Sequence, residues 1–269
     1  MLGALFGDIA GSRFERHNIK TKDFRLFTDA CHPTDDSIMT LAIASALLRC
    51  GGDYTDVASA AIHAMQELGR RYPNAGYGGS FTRWLSARDP LPYHSWGNGS
   101  AMRVSPCAHA AESLSQAREL AVAVTAVTHN HPEGIRGAEA VTDAVYLALH
   151  GCSKSAIRDH ISALYYPMDF TLDEIRPDYR FDVSCQGSVP QALEAFFEAD
   201  SFEDTIRNAI SIGGDSDTIA AIAGSVAEAF YGIPELLRWE AIAFLDQPQL
   251  DILYRFEARF GEHTTAAEH

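Results

Sequence analysis

The sequence lacks features that mark several classes of protein. It has only five cysteines and no CxxC pair: Cys31, Cys50, Cys107, Cys152 and Cys185. This odd, widely spaced set argues against a disulfide framework and a zinc site, and it favours a reducing compartment. No apolar run approaches the ~18 residues of a membrane span. Residues 1–10 carry Asp8 and no basic leader, so they do not predict a signal peptide. We therefore expect a cytoplasmic protein.

Positive charge is also scarce. Lys and Arg number 21 against 36 Asp and Glu, which gives a formal net charge of −15. Such a surface repels nucleic-acid phosphates and anionic membranes, because non-specific binding to either needs clustered basic residues. We therefore expect neither stable nucleic-acid binding nor a membrane partner. A substrate that carries phosphates would need helix N-termini, glycine-rich loops or bound cations to hold it.

Strand signals are scarce too, and the best alternation, over Tyr179–Val183, is short. Apolar residues instead recur at helical spacing, which predicts helices over Ser37–Arg49, Asp56–Leu68, Ser115–Thr125, Gly137–Leu149, Val189–Glu198, Phe202–Ser211, Thr218–Tyr231, Glu235–Leu245 and Gln249–Phe260. We predict an all-α protein with long functional loops and a single domain, residues 1–269. Residues 166–188 look like an irregular excursion from this domain, and we expect the polar tail after Gly261 to fray.

Polar, glycine-rich segments interrupt the helical pattern at five places, namely Gly7–Glu15, Pro33–Ser37, Ser95–Arg103, Thr128–Gly134 and Gly213–Thr218. Two of them hold pairs of acids at the predicted start of a helix, Asp35 with Asp36 and Asp215 with Asp217. One acid at such a position is commonly a helix cap, but only one acid of each pair can be the cap. Four carboxylates gathered at buried helix ends repel one another, so they take up protons or bind cations.

The types of ligand in these two clusters indicate which cations would bind. Besides the carboxylates, the clusters offer the hydroxyls of Thr34 and Thr218, with no cysteine and no required histidine. Hard oxygen ligands suit Mg²⁺, Mn²⁺ or Ca²⁺ rather than zinc or copper. Two such clusters suit two neighbouring metal ions, which can clamp a substrate and activate a water. Helix capping combined with solvated turns remains the alternative interpretation.

The segment Ser95–Arg103 combines flexible backbone with side chains that form hydrogen bonds. Its two glycines allow close backbone approach, and Asn98 and Ser100 offer hydrogen bonds. A helix opening at Ala101 would turn its N–H groups toward an anion, and Trp96 could stack on a base. Taken alone, the segment is better explained as a tight turn with a buried tryptophan, because short glycine patterns are weakly diagnostic.

The remaining segments, taken separately, are weak evidence of function. His129 and His131 by default form a hydrogen-bonded turn, and Glu15 at a loop end is by default a solvated residue. Together, however, the five segments in this order resemble the ADP-ribosylglycohydrolase family. The Gly-Asp-x-x-Gly opening, Thr-Asp-Asp, Gly-Asn-Gly-x-x-Met-Arg and Gly-Gly-Asp-x-Asp-Thr are jointly specific, and the match runs from Gly3 to Gly232.

The resemblance implies a compact, orthogonal multi-helix fold with its active site in a cleft lined by loops, and two bound Mg²⁺ or Mn²⁺ ions. It implies metal ligands at Thr34, Asp35, Asp36, Asp215, Asp217 and Thr218. It implies substrate-binding residues at Ser95, Trp96, Gly97, Asn98, Gly99, Ser100, Met102, His129, Gly214 and Ser216. It also implies catalytic carboxylates at Glu15, Asp36 and Asp215.

The reaction that the resemblance implies is the removal of ADP-ribose from a modified acceptor, by cleavage at the anomeric carbon of the distal ribose. The substrate would be an ADP-ribosylated protein or another ADP-ribose derivative. Two ribose hydroxyls would bind the metal ions and fix the anomeric carbon. A carboxylate would then take a proton from the attacking water, and the transition state would resemble an oxocarbenium ion.

Two other functions stay open at this point. A degenerate member of the family would bind ADP-ribose without cleaving it, but such a protein would have lost a metal ligand, and all six matched positions are intact. A different di-metal hydrolase could instead act on free nucleotides, on free ADP-ribose derivatives or on phosphoesters. As for the acceptor, Glu15 and Ser95 before Trp96 are more similar to family members that cleave O-linked ADP-ribose than to the arginine-specific members.

Overall fold

A computed structural model of the chain describes residues 1–261, which form helices joined by loops. The α-helices in that range are α1 (Leu2–Ser12), α2 (Asp35–Cys50), α3 (Val57–Arg71), α4 (Gly79–Ser86), α5 (Ser105–Ala110), α6 (Leu114–Ala126), α7 (Pro132–Leu149), α8 (Lys154–Leu164), α9 (Leu172–Ile175), α10 (Cys185–Phe197), α11 (Phe202–Ser211), α12 (Ser216–Tyr231), α13 (Glu235–Ile242) and α14 (Gln247–Phe260). A short 3₁₀ turn, Asn98–Ser100, lies between α4 and α5. The only β-type pairing among these residues is an isolated bridge between Gly97 and Ser184, so the predicted all-α fold is confirmed.

The helices predicted from the sequence are present, with ends that differ by a few residues. α7 begins at Pro132 instead of Gly137, because proline suits the first turn of a helix, where its missing N–H costs nothing. α12 begins at Ser216 instead of Thr218. Asp217 therefore lies in the first turn of α12 rather than before it.

Five helices were not predicted: α1, α4, α5, α8 and α9. The first of them matters most. The interpretation of Gly7–Glu15 as an interruption between helices is wrong for residues 7–12, which lie inside α1. Glycines lower helix propensity, but tertiary packing overrides that preference here, because α1 is buried along its whole length.

Two further expectations concern irregular segments. Tyr179–Val183 forms no strand, and its pairing is limited to the bridge region, where the backbone N–H of Asn98 donates to the carbonyl of Val183 at 2.7 Å. Residues 166–188 are less irregular than expected, since they contain α9 and the start of α10. The tail after Gly261 lies outside the described residues.

The glycines of α1 lie four residues apart and face α12. A Cβ placed on Gly7 would lie 1.9 Å from the carbonyl oxygen of Ala220, and one on Gly11 would lie 2.6 Å from the Cα of Asp217. The two backbones can therefore approach far more closely than side chains would allow. This close approach brings Asp8 of α1 next to the first turn of α12.

α2 begins where α1 and α12 meet. Thr34 caps it, accepting a hydrogen bond from the backbone N–H of Asp36, and Gly51 ends it in the left-handed conformation at φ 63°. α2 packs against α1, α3 and α14, and the buried apolar residues of the described chain form one contiguous core. No helix within residues 1–261 has the length and apolar character that crossing a bilayer requires.

We expect Gly7→Ala to destabilise the protein, although alanine stabilises an isolated helix. The added methyl group would force α1 and α12 apart, at a cost of about 3 kcal/mol. This cost corresponds to a fall in Tm of roughly 6–12 °C, measurable by calorimetry. Gly79→Ala is the matched control, because Gly79 is exposed in α4 and its Cβ would meet no atom closer than 3.9 Å. An unchanged Tm in Gly7→Ala would contradict the close packing of α1 on α12.

Candidate active site

Three buried aspartates lie together where α1, α2 and α12 meet. One carboxylate oxygen from each of Asp8, Asp36 and Asp217 lies within 4.8 Å of the others. Each comes from a different helix, so the cluster depends on how these helices pack. Asp36 and Asp217 were predicted from the sequence as metal ligands, whereas Asp8 was not.

Asp8 is already occupied by hydrogen bonds from the start of α2. Its Oδ1 accepts from the hydroxyl of Thr34 at 2.6 Å. Its Oδ2 accepts from the backbone N–H groups of Thr34 and Ser37 at 2.8 and 3.0 Å, and from the Ser37 hydroxyl. A carboxylate offers about four lone-pair sites, so little capacity remains for a metal ion. Asp8 therefore anchors α2 and orients Thr34.

Asp36 and Asp217 each keep a free oxygen. Their Oδ1 atoms are buried and have no hydrogen-bond partner among the described residues. The other oxygen of Asp36 accepts a hydrogen bond from the hydroxyl of Thr218 at 3.2 Å. Buried carboxylate oxygens without a partner are rare in native proteins and commonly indicate an ion. The two free oxygens, with threonine hydroxyls beside them, fit a hard divalent cation.

Asp35 and Asp215 lie beside this cluster, and each forms a hydrogen bond with a residue that is not part of it. The backbone N–H of Asp35 donates to the carbonyl of Ala75 at 2.8 Å, which ties the start of α2 to the loop after α3. The Oδ2 of Asp215 accepts a hydrogen bond from the Nδ2 of Asn98 at 2.7 Å, and the same Nδ2 lies 3.0 Å from the hydroxyl of Ser188. Asn98 thus fixes the orientation of the Asp215 carboxylate.

Burial raises the pKa of all five aspartates, and the charges of neighbouring aspartates raise it further for Asp35, Asp36 and Asp217. The pKa of Asp36 and that of Asp217 lie well above the usual range, first through burial and then through the neighbouring aspartates. Burial and the charges of Asp8 and Asp215 raise the pKa of Asp35 to about 7. At neutral pH the group therefore holds protons unless cations replace them.

The acids open into a cleft of about 450 Å³. Most of the residues predicted from the sequence line it, namely Glu15, Thr34, Asp35, Asp36, Ser95, Gly97, Asn98, Gly99, Met102, His129, Asp215, Asp217 and Thr218. These residues come from separate segments of the chain, and the fold brings them to one place. The cleft has an acidic floor and a glycine-rich wall.

Four predicted binding residues do not line the cleft. Trp96 is exposed beside it, with its ring edge-on to that of His131 at 5.7 Å. The buried hydroxyl of Ser100 donates to the carbonyl of Gly97 at 3.0 Å. Ser216 is also fully buried. Gly214 packs against Tyr179, whose ring lies 2.3 Å from where a Cβ would be, and it has φ 75°. The three buried residues would therefore shape the site without facing it.

The glycine-rich wall is a turn and not the start of a helix. Residues 98–100 form the 3₁₀ turn, and α5 begins only at Ser105, so the expectation of a helix opening at Ala101 is wrong. The backbone of Gly97 pairs with Ser184 instead. A Cβ on Gly99 would lie 3.3 Å from Nε2 of His129, so this ring nitrogen faces the turn.

Glu15 lies at the mouth of the cleft, in the loop after α1. Its Oε1 pairs with the guanidinium of Arg16 at 2.9 Å, and 27% of its side chain is exposed. Asn18 holds this loop in place. Its Nδ2 donates to the carbonyls of Glu15 and Gly214 at 3.1 and 2.9 Å, and its Oδ1 accepts from the N–H of Gly214 at 2.8 Å.

Sequence reasoning missed part of the lining. The loop between α3 and α4 and the first turn of α4 contribute Asn74, Ala75, Gly76, Gly78, Gly79, Ser80 and Phe81. Tyr93, Arg103, Phe181 and Val183 also line the cleft. The glycines at positions 76, 78 and 79, in that loop and at the start of α4, were a signal available in the sequence. Nothing in the sequence indicated that Phe181 would face the cleft.

Comparisons with known proteins agree on the family. Residues 1–257 match the family model described as ADP-ribosylglycohydrolase. The chain is 26% identical to the ADP-ribosylhydrolase ARH3 of Mus musculus, with 88% of this chain and 84% of the relative covered. It is 29% identical to the ADP-ribosylarginine hydrolase Tri1 of Pseudomonas putida (strain GB-1), with 87% and 70% covered. A shorter match, 28% identical, covers 52% of the chain and 48% of the ADP-ribosyl-[dinitrogen reductase] glycohydrolase of Rhodospirillum rubrum.

The fold is also that of a solved structure. A chain of an ADP-ribosylglycohydrolase-related protein complex superposes with a TM-score of 0.70 and 23% identity. The superposition covers 98% of this chain and 97% of the other. Together with the family match, it confirms the architecture that the sequence resemblance implied.

The raised pKa values predict how stability depends on pH. Below pH ~4 these carboxyls are protonated in both the folded and the unfolded chain. Between about pH 4 and the folded pKa of about 7 for Asp35, the unfolded chain loses protons that the folded chain keeps, so stability falls as the pH rises. In EDTA we expect unfolding to cost about 2 kcal/mol more at pH 5 than at pH 8, measured by urea denaturation.

Asp217→Asn provides the control for this pH dependence. It removes one charge from the cluster, so the metal-free variant should be more stable than the wild type at pH 8 and should depend less on pH. A wild type in EDTA that is equally stable at both pH values, or more stable at pH 8, would show that the cluster is not under repulsion.

Proposed function

This chain belongs to the ADP-ribosylglycohydrolase family, and we propose that it is a metal-dependent hydrolase that removes ADP-ribose from a modified protein. The main support for this proposal is one structural observation. The free, buried oxygens of Asp36 and Asp217 adjoin a cleft whose wall is a glycine-rich turn. The acids suit cations and a sugar diol, and the turn suits phosphates.

Two Mg²⁺ ions, or Mn²⁺ in their place, are the proposed cofactors. Thr34, Asp35, Asp36, Asp215, Asp217 and Thr218 would hold them. When bound, these ions would offset the carboxylate charges, lower the pKa of a bound water and orient the ribose hydroxyls. Asp8 would orient Thr34 without binding a cation itself, because it accepts the proton of the Thr34 hydroxyl and the Asp36 N–H uses one lone pair of that oxygen, which leaves the other for a cation.

The wall of the cleft would bind the diphosphate and the adenosine. Gly97 and Gly99 let backbone approach the phosphates closely, and His129 faces the same turn. The exposed ring of Trp96 offers a surface on which the adenine could stack. The buried residues Ser100, Gly214 and Ser216 would hold the turn and the start of α12 in position.

The chemistry would be the hydrolysis of the bond at the anomeric carbon of the distal ribose. Glu15, Asp36 and Asp215 are the proposed catalytic carboxylates. One of them would take a proton from the attacking water as positive charge develops on the ribose. The hydrogen bond from Asn98 orients Asp215 for this task. Carboxylate charge that the cations do not offset would also stabilise an oxocarbenium-like transition state by electrostatic attraction.

The acceptor would lie at the mouth of the cleft, near Glu15. Following the sequence resemblance, we propose that O-linked ADP-ribose is preferred over the arginine linkage. We also propose that residues 1–269 act as one domain, which the contiguous core supports. A cytoplasmic location is supported by the five free cysteines.

The direct test of the proposed function is the release of ADP-ribose from mono-ADP-ribosylated serine and arginine peptides, with Mg²⁺ or with EDTA. We expect release that needs Mg²⁺ and is faster from the serine peptide. Asp36→Asn and Asp217→Asn should lower the rate at least about 100-fold, because each removes a charged ligand. Asp159→Asn removes the same charge at an exposed residue of α8 that does not line the cleft, and it should change the rate less than about twofold.

Three outcomes would contradict parts of this proposal. Binding of ADP-ribose without release from either peptide would indicate a binding module. Hydrolysis of free ADP-ribose derivatives alone would indicate a different di-metal hydrolase. Equal rates in EDTA and Mg²⁺ would overturn the metal assignment.

A further inference from the structure

A buried arginine at the edge of the cleft is linked to His129 through a threonine. Arg103 is 1% exposed, and its Nε–H has no hydrogen-bond partner among the described residues. Its Nη2 donates to the hydroxyl oxygen of Thr128 at 2.6 Å. The same oxygen lies 2.7 Å from Nδ1 of His129. The three side chains therefore form a continuous hydrogen-bonded series from Arg103 to His129.

The hydroxyl of Thr128 has one proton to give, and its surroundings decide where that proton goes. A guanidinium can only donate, so Thr128 accepts from Arg103. The two remaining neighbours are Nδ1 of His129 at 2.7 Å and the carbonyl of Thr125 at 3.3 Å. The shorter contact is the better acceptor position. The bond from the cationic guanidinium also makes this hydroxyl a stronger donor.

We propose that Arg103 and Thr128 are positioning residues that fix the neutral imidazole of His129 in the tautomer with its proton on Nε2. Nε2 then presents an N–H donor to an oxygen of the ligand bound against the Gly97–Gly99 turn. The geometry agrees, because Nε2 lies 3.6 Å from a Cβ placed on Gly97 and 3.3 Å from one placed on Gly99. Burial and the charge of Arg103 also lower the pKa of His129 well below its usual value. The inference rests on the proposed function only for the identity of the ligand.

The tautomer can be read directly by long-range ¹H–¹⁵N correlation spectra of the histidine rings at pH 7. The chain has 11 histidines, so His129→Gln is needed to assign the signals. We expect an unprotonated Nδ1 and a protonated Nε2 for His129 in the wild type. An imidazolium, or a proton on Nδ1, would overturn the inference.

Thr128→Val and Thr128→Ser form the matched pair. Valine has the shape of threonine without the hydroxyl, so the two nitrogen signals of His129 should move toward a mixture of tautomers. Binding of ADP-ribose, measured by calorimetric titration, should weaken about tenfold. Serine keeps the hydroxyl and should restore the wild-type spectrum and bring the affinity within about twofold. An unchanged tautomer in a folded Thr128→Val would refute the role of Thr128.

Arg103→Met tests the contribution of Arg103 to this hydrogen-bonded series in the same way. It removes the donor to Thr128, so the Nε2–H population of His129 should fall. If this variant unfolds, the spectra of the wild type and of the Thr128 pair still decide the inference. The spectra need no turnover, so an absence of ADP-ribose release would count against the proposed function and not against the tautomer.

Discussion

The burial of several closely spaced carboxylates determines the chemistry of this site. Asp8, Asp36 and Asp217 lie together with their oxygens within 4.8 Å, and Asp35 and Asp215 lie beside them. Bringing such charges out of water costs several kcal/mol per ion unless partners compensate. The glycines of α1 make this proximity unavoidable, since they allow α1 and α12 to touch backbone to backbone. The fold thus concentrates negative charge that only protons or cations can balance.

The hydrogen bonds around the cluster divide its members into two kinds. Asp8 uses its oxygens to hold the start of α2, and Asn98 holds Asp215. Asp36 and Asp217 keep an oxygen free. The anchored carboxylates keep the geometry of the site when the charge state changes, and the free oxygens of Asp36 and Asp217 are available to a cation in addition to Asp215. This division explains how an acidic chain could bind an anionic substrate. Cations on the floor would balance the carboxylates, and the neutral turn and His129 would meet the phosphates.

The sequence predicted the helical class and most of the cleft, and the reasons for its failures are physical. Adjacent acids at helix starts and clustered glycines are local signals, so Asp35, Asp36, Asp217 and the Gly97–Gly99 turn could be found. The helix α1 could not be predicted, because its glycines lower helix propensity and only the packing of α12 against it compensates for that. Asp8 was missed for the same reason. Its role depends on donors from α2, more than twenty residues away in the chain.

The local sequence pattern also could not predict which side chains are exposed and which line the cleft. Trp96 was expected to be buried if the segment were only a tight turn, but it is exposed, beside the cleft. Phe181 and Val183 line the cleft because a single backbone bridge brings their segment to the glycine turn. Such a bridge has no sequence signature. Long-range contacts of this kind determine which residues line the mouth of the cleft, which is where the acceptor would be recognised.

We propose that the carboxylates at the meeting of α1, α2 and α12 hold divalent cations. Calorimetric titration of Mn²⁺ into protein treated with EDTA and then dialysed tests it most directly. We expect two Mn²⁺ ions per chain at pH 8 and weak or absent binding at pH 5, where protons compete for the same oxygens. Absence of binding at pH 8, or binding that persists unchanged in Asp36→Asn, would contradict it.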